Sequence, residues 1–277
     1  FLGFGFFLFS HNPLPCNGLT MEYINLAAST AGFFFSLLIL WSGVGAGVLV
    51  IPALITFFNI DPVIAIASES AFAFISKIGM TLGHASQGGI DWKAAKKFLL
   101  ICLPITLMTS ILMTFLFKHK PSAALELILI IAILFAGTIA LLTLLSNRVK
   151  TIISRWPMAF LSGATGALMG LTGVGGGVMV VPALVSSGQL PIKIAVATSI
   201  PIGLILSLAV SLTLGAGGFL DYALIASLLI GAAVGIPVGI RLFHIFSEVL
   251  IKRLICILVG IALFELVFEA NELFQSI

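Results

Sequence analysis

The chain has 277 residues, of which 60% are hydrophobic and 8% charged, with a mean hydropathy of +1.27 and a formal net charge of +3. Soluble domains carry roughly 25% charged residues, so the composition excludes a soluble globular protein, a disordered chain and a secreted disulfide scaffold. Lipid has to solvate the surface, and no basic run is present that would hold nucleic acid.

In chain order, residues 1–23 open on an apolar run that Pro13, Pro15, Asn17 and Gly18 break. The run lacks a basic flank and makes a poor signal peptide; it is expected to be sequence upstream of a start at Met21 and is set apart from the functional reading. Continuous apolar segments follow at 24–41, 44–58, 63–84, 95–117, 123–145, 157–171, 174–187, 193–215, 222–243 and 248–269. Each is predicted helical, because a segment in lipid must satisfy its own backbone, and the two-residue alternation of a barrel strand is absent. The length holds about eight to ten spans of ~20 residues and leaves no room for a separate soluble domain. The second and seventh segments are too short to span comfortably, and both are rich in glycine.

Those two segments carry an internal repeat. Residues 42–54, SGVGAGVLVIPAL, return at 172–184 as TGVGGGVMVVPAL, nine of 13 positions identical at an offset of 130. The register continues: Ile64–Ser68 matches Ile194–Thr198, and Asp91-Trp92 matches Asp221-Tyr222. The expectation is an all-α polytopic membrane protein of two tandem repeats of about 125 residues, at 24–146 and 157–277, joined by a basic cytoplasmic linker at 147–156. Basic residues cluster at Lys93, Lys96 and Lys97, at Arg148, Lys150 and Arg155, and at Arg241, Lys252 and Arg253. These become cytoplasmic if each glycine-rich segment forms a re-entrant, broken helix pair beside three full spans. An odd number of crossings makes the repeats inverted, as in many secondary transporters; a single crossing of the glycine-rich pair makes them parallel.

Glycine permits backbone shapes closed to other residues and weakens a helix interior. A helix is therefore expected to break around Gly43, Gly45 and Gly47, and again around Gly173, Gly175, Gly176 and Gly177. Ser42 and Thr172 precede the breaks as candidate helix caps, and Pro52 and Pro182 follow as helix-break prolines. A helix restarting inside a bilayer presents unpaired N–H groups and a positive dipole end, which suit an anion. Close helix packing is the rival explanation. Packing is also the reading of Gly231, Gly235 and Gly239, whose counterparts Ile101, Ile105 and Thr109 are larger; that close contact is expected in one half only.

Glu69 and Lys77 are the only charges deep in a span, and such charges are costly and by default functional candidates. Eight residues apart, they are offset by roughly 80° on a helix and cannot pair tightly. Proton coupling through Glu69, anion attraction by Lys77, and a structural ion pair or snorkelling compete as roles. Ser68, Ser70, Thr198 and Ser199 lie where the next helix passes the break; they can coordinate a polar substrate or bond back to their own helix. Asp91 and Asp221 read as N-caps. His11, His84, His119 and His244 show no metal-ligand spacing, Cys16, Cys102 and Cys256 are scattered, and no catalytic constellation or ATP-binding motif is present. No metal, cofactor or enzymatic activity is expected.

The glycine–proline block and the Ala-Val-Ala-Thr-Ser run resemble the TauE/SafE family of membrane transporters, over about residues 24–270. The resemblance implies a bacterial-type inner-membrane permease, with members linked to export of sulfite, sulfoacetate and other organosulfur anions. Two departures stand out: Ala46 replaces a glycine of the second block, and Ser68-Glu69-Ser70 stands where the family pattern resembles Ala-Thr-Ser. An ionised Glu69 beside an anion site would repel the substrate, which favours a proton-carrying role there. The expected function is secondary-active transport of a small anion at a midplane site between the two broken helices, in the lipid bilayer, with protons as the coupling ion. A homo-oligomer is compatible with the sequence. A cation or neutral-solute carrier and a non-transporting scaffold are the alternatives.

Overall fold

The computed structural model describes residues 18–42, 47–86, 88–119, 122–146, 156–174, 179–187, 190–242 and 248–276. Among them are ten α-helices: α1 (Gly18–Ser42), α2 (Gly47–Phe58), α3 (Pro62–Ser86), α4 (Trp92–His119), α5 (Ala123–Leu145), α6 (Met158–Thr172), α7 (Val180–Ser187), α8 (Ile192–Ala216), α9 (Tyr222–Leu242) and α10 (Glu248–Ser276). Five of these, α3, α4, α5, α8 and α9, are long and apolar enough to cross a bilayer. The chain is thus an all-helical polytopic membrane protein. With 12 and eight residues, α2 and α7 rise only about 18 and 12 Å, against a hydrocarbon core of about 30 Å. The segment 1–17 and all of the linker but Trp156 lie outside the described residues.

Local chemistry sets the helix starts. Asp91 Oδ1 accepts from the N–H groups of Lys93 and Ala94, both at 2.9 Å, and Asp221 Oδ1 accepts from Leu224 N–H at 3.0 Å. Ser122 caps α5 through Leu125 N–H, and Pro62 opens α3 where no intrahelical donor is needed. Two helices outrun their apolar segments: α1 begins at Gly18 and α10 continues to Ser276. Helical hydrogen bonding does not depend on side-chain polarity, and the added end of α10 includes the good helix formers Ala270, Glu272, Leu273 and Gln275.

The polarity of the fold is inverted relative to a soluble protein. Large apolar side chains such as Leu100, Met108, Phe135 and Phe264 are exposed, whereas Ser68, Glu69, Ser70, Lys77, Thr198 and Ser207 are buried. Lipid takes the first group, and the interior must satisfy the second. In α3 and α8 67% of the apolar window is buried, against 22% in α4, so α3 and α8 form the centre.

Three contacts fix how these central helices cross. Near the start of α3, Ser68 Oγ accepts from Asp221 N–H, just past α8, at 3.2 Å. Near the start of α8, Thr198 Oγ1 accepts from Asp91 N–H, just past α3, at 2.9 Å. Midway, Lys77 Nζ donates to Ser207 Oγ at 3.1 Å. Hence α3 and α8 run antiparallel.

Around this pair, α1 packs most extensively on α9 and α4 on α6. A Cβ at Gly231 would overlap the Ser29 carbonyl oxygen, and one at Gly235 would stand 2.7 Å from Phe33 O. The expectation that such close approach exists in one half only is corrected by α4 and α6. There a Cβ at Gly166 would stand 2.6 Å from Cys102 O, and one at Gly170 2.6 Å from Thr106 O. The small residues of this second contact sit on the other partner helix, so comparing Gly231 with Ile101 alone conceals it.

Candidate functional site

The two glycine-rich blocks meet through the residues of each that the structure describes. The first lies between α1 and α2, and the second interrupts the helix at Gly173, where α6 ends ahead of α7. Gly43, Gly45, Gly175, Gly176 and Gly177 lie outside the described residues; Gly47 and Gly173 lie within them. A Cβ at Gly47 would stand 2.6 Å from Gly173 O and 3.3 Å from Val174 Cα, so backbone passes backbone with no room for a side chain.

Gly173 is the left-handed C-cap of α6, with φ 67° and ψ −9°, and its N–H donates to Met169 O. That conformation is disfavoured for a residue with a side chain and natural for glycine. The sequence suggests Ser42 and Thr172 as caps of restarting helices. The structure instead makes Thr172 the last residue of α6, while the residues that follow Ser42 lie outside the described ones. Thr172 Oγ1 donates back to Leu168 O at 2.7 Å and accepts from Val174 N–H at 3.1 Å, so it stabilises a helix end. The end presented there is the carbonyl end, with negative dipole character.

The prolines also stand away from the breaks. Pro52 is buried inside α2, five residues after Gly47, and Pro182 is the third residue of α7. In a first turn the missing proline N–H costs nothing, so Pro182 is compatible with a helix already under way. Gly173, not Pro182, ends α6.

Glu69 lies beside the second interruption. Its Oε2 would be 3.6 Å from a Cβ on Gly173, whose other neighbours would be Ile51 and Ile66. Glu69 is only 1% exposed, and Oε2 has no hydrogen-bond partner among the described residues. Lys77 is the other buried charged side chain among those residues. Its ammonium is engaged by Ser207 rather than by Glu69, two turns away on the same helix.

The remaining candidates divide by what they touch. Ser68 and Thr198 each accept the backbone N–H of an N-capping aspartate, as described above. Ser199 bonds back to Val196 O at 2.7 Å, within its own helix. Sequence reasoning missed Ser76 and Thr81, whose buried hydroxyl oxygens, like that of Ser70, have no partner among the described residues. Helical spacing places Ser70 and Thr81 on the face of Lys77, and Ser76 on that of Glu69. The spacing was readable, but period alone does not tell an interior face from one turned to lipid. Asp91 and Asp221 cap their helices as expected. What the sequence did not signal is that their own N–H groups reach across to α8 and α3.

Comparison with known proteins adds the family context. The profile described as Sulfite exporter TauE/SafE matches residues 27–266. A relative from Bacillus subtilis (strain 168), described as "Probable membrane transporter protein YjnA", is 26% identical over 229 residues, covering 78% of this chain and 89% of the relative. No solved structure matches the chain.

Proposed function

Because the chain belongs to the sulfite exporter TauE/SafE family and is an integral membrane transporter of bacterial inner-membrane type, not an enzyme, we propose that it carries a small anion by secondary-active alternating access. The family description makes sulfite or an organosulfur anion the first substrate class to test. The observation that carries the anion reading is Lys77: an ammonium 7% exposed, held by Ser207 where the two central helices cross. A buried cation whose one hydrogen-bond partner among the described residues is neutral attracts an anion, and water-poor surroundings strengthen the attraction.

In this reading the anion sits near the midplane at Lys77, apart from the Glu69 carboxyl and the carbonyl end of α6 at Gly173. Lys77 supplies the charge and Ser207 holds its ammonium, while the hydroxyls of Ser68 and Thr198 are taken by the N–H groups of Asp221 and Asp91, and that of Thr172 by the end of α6. The N–H groups suited to an anion belong to the restarting helices α2 and α7, since Thr172 and Gly173 end α6.

We read the two halves as inverted repeats that rock against each other. Support comes from the antiparallel crossing of α3 and α8, and from contacts that pair residues in the same repeat register. Ser68 and Thr198 are 130 apart, Asp91 and Asp221 are 130 apart, and each serine or threonine accepts from the other half's aspartate. A two-fold axis through Lys77 and Ser207 relates these bonds, as an axis in the membrane plane would.

The test is melting temperature and proteoliposome flux with sulfite, sulfate, thiosulfate, organosulfonates and carboxylates. One anion class should raise the melting temperature and be transported. Lys77→Met and Gly175→Leu should abolish both effects while still inserting in the membrane. Full anion response in both variants would overturn the site, and flux of a cation or neutral solute alone would overturn the substrate class.

A further inference from the structure

We infer that Glu69 and the carboxyl-terminal end of α6 form a binding site for a monovalent cation, a proton or a sodium ion. That the cation moves together with the anion rests on the transporter reading above; the site itself does not. Three features converge. Glu69 Oε2 is a buried acceptor with no donor among the described residues, and a buried carboxylate in that condition is costly. It lies beside Gly173, where the left-handed C-cap turns α6 off and its last carbonyls point out of the helix. Carboxylate and helix end are both negative, so the place repels an anion and holds a cation. In broken-helix transporters, unwound carbonyls and half-helix carboxyl ends are where coupling cations bind.

Among the described residues no charged side chain hydrogen-bonds Glu69 Oε2, and the neighbouring Ser70 hydroxyl is neutral. Neither α2 nor α6 contains a charged residue. On α8 the only one is Lys193, exposed in the first turn, and on α9 it is Arg241, at the far end of the helix. Glu126 of α5 is acidic. Lys77 and His84 share α3 with Glu69; Lys77 contributes attraction at a distance while its ammonium bonds to Ser207. Gly47, the first described residue of α2, abuts the Gly173 carbonyl, yet among the described residues no N–H reaches Glu69 Oε2. The cation and anion sites are therefore separate, one at Glu69 and one at Lys77, two turns apart on the same central helix.

Thermal unfolding of the purified protein tests the site without any anion substrate. One arm exchanges choline for sodium at constant ionic strength and pH. The other varies pH without sodium and follows the difference between wild type and Glu69→Gln. A sodium site predicts a rise of about 3 °C at saturating sodium, absent in Glu69→Gln. A proton site predicts no sodium effect but a wild-type-minus-variant difference that changes with pH. Should Glu69→Gln not fold, Glu69→Asp keeps the charge and withdraws it from Gly173, and should weaken the cation response at least threefold. Identical behaviour of wild type and the folded variant in both arms overturns the assignment. Anion-induced stabilisation is scored separately, so the failure of one site does not imitate the failure of the other.

Discussion

Lys77 and Ser207 are 130 residues apart, each stands at the other's register in the repeated sequence, and the Lys77 ammonium donates to the Ser207 hydroxyl across 3.1 Å. Residues that correspond under a two-fold relation can touch only on its axis. In the inverted-repeat reading, the one buried ammonium among the described residues sits on the axis that relates the two halves, and one member of this pair carries charge while the other does not. Under that reading the asymmetry would let a symmetric scaffold bind one charged solute instead of two.

If Lys77 holds the anion, Ser207 positions it. Ser207→Ala removes a hydrogen bond to a charged group, about 1.5–3 kcal/mol, and should lower the melting temperature while leaving part of the anion response. Lys77→Met should eliminate the anion response. Equal responses to anions in Lys77→Met and wild type, by thermal shift, would contradict the assignment.

The two reciprocal bonds should control opposite faces. Ser68→Ala removes the bond to Asp221 N–H and Thr198→Ala the bond to Asp91 N–H, each at a cost of about 1 kcal/mol. With Leu220→Cys and Ile90→Cys as reporters in a background lacking the native cysteines, Ser68→Ala should speed labelling by impermeant thiol reagents at 220 and not at 90. Thr198→Ala should do the reverse. Parallel changes at both reporters would mean that the bonds hold the bundle together but do not gate it.

The apposition of the glycine-rich blocks should not tolerate side chains. Gly173→Ala forces a side chain into a left-handed conformation, about 1–2 kcal/mol, and presses its Cβ against Ile51 and Ile66. Gly47→Ala meets a backbone carbonyl that cannot rotate away, with a cost of about 1–3 kcal/mol. Both should lower the melting temperature in detergent, and wild-type values for both would show that the blocks do not meet.

Glycines in this chain should divide by their surroundings. Gly231→Val, at the tight contact with Ser29 and Phe33 of α1, should destabilise by at least about 2 kcal/mol. Gly260→Ala, with open space around its Cβ position in α10, should be neutral or stabilise by up to about 1 kcal/mol through helix propensity. Comparing the two melting curves checks the α1–α9 packing directly.

The amino-acid sequence by itself determined the class and the helices. Continuous apolar runs with so few charges admit only lipid-solvated helices, because backbone groups in hydrocarbon have no other partner. It also singled out the duplicated glycine block and the cost of placing Glu69 and Lys77 inside spans, since composition and spacing carry both. Three matters depended on tertiary structure. The sequence could not say which end of a helix faces the second interruption, because a hydroxyl before glycines serves as a start or as an end; Thr172 proved to be an end. It could not tell that Ser68 and Thr198 are spent on N–H groups of the opposite half, nor that Glu69 lies against Gly173. Those facts join residues more than 100 positions apart, and only the packing of one helix against another brings such partners within a hydrogen bond.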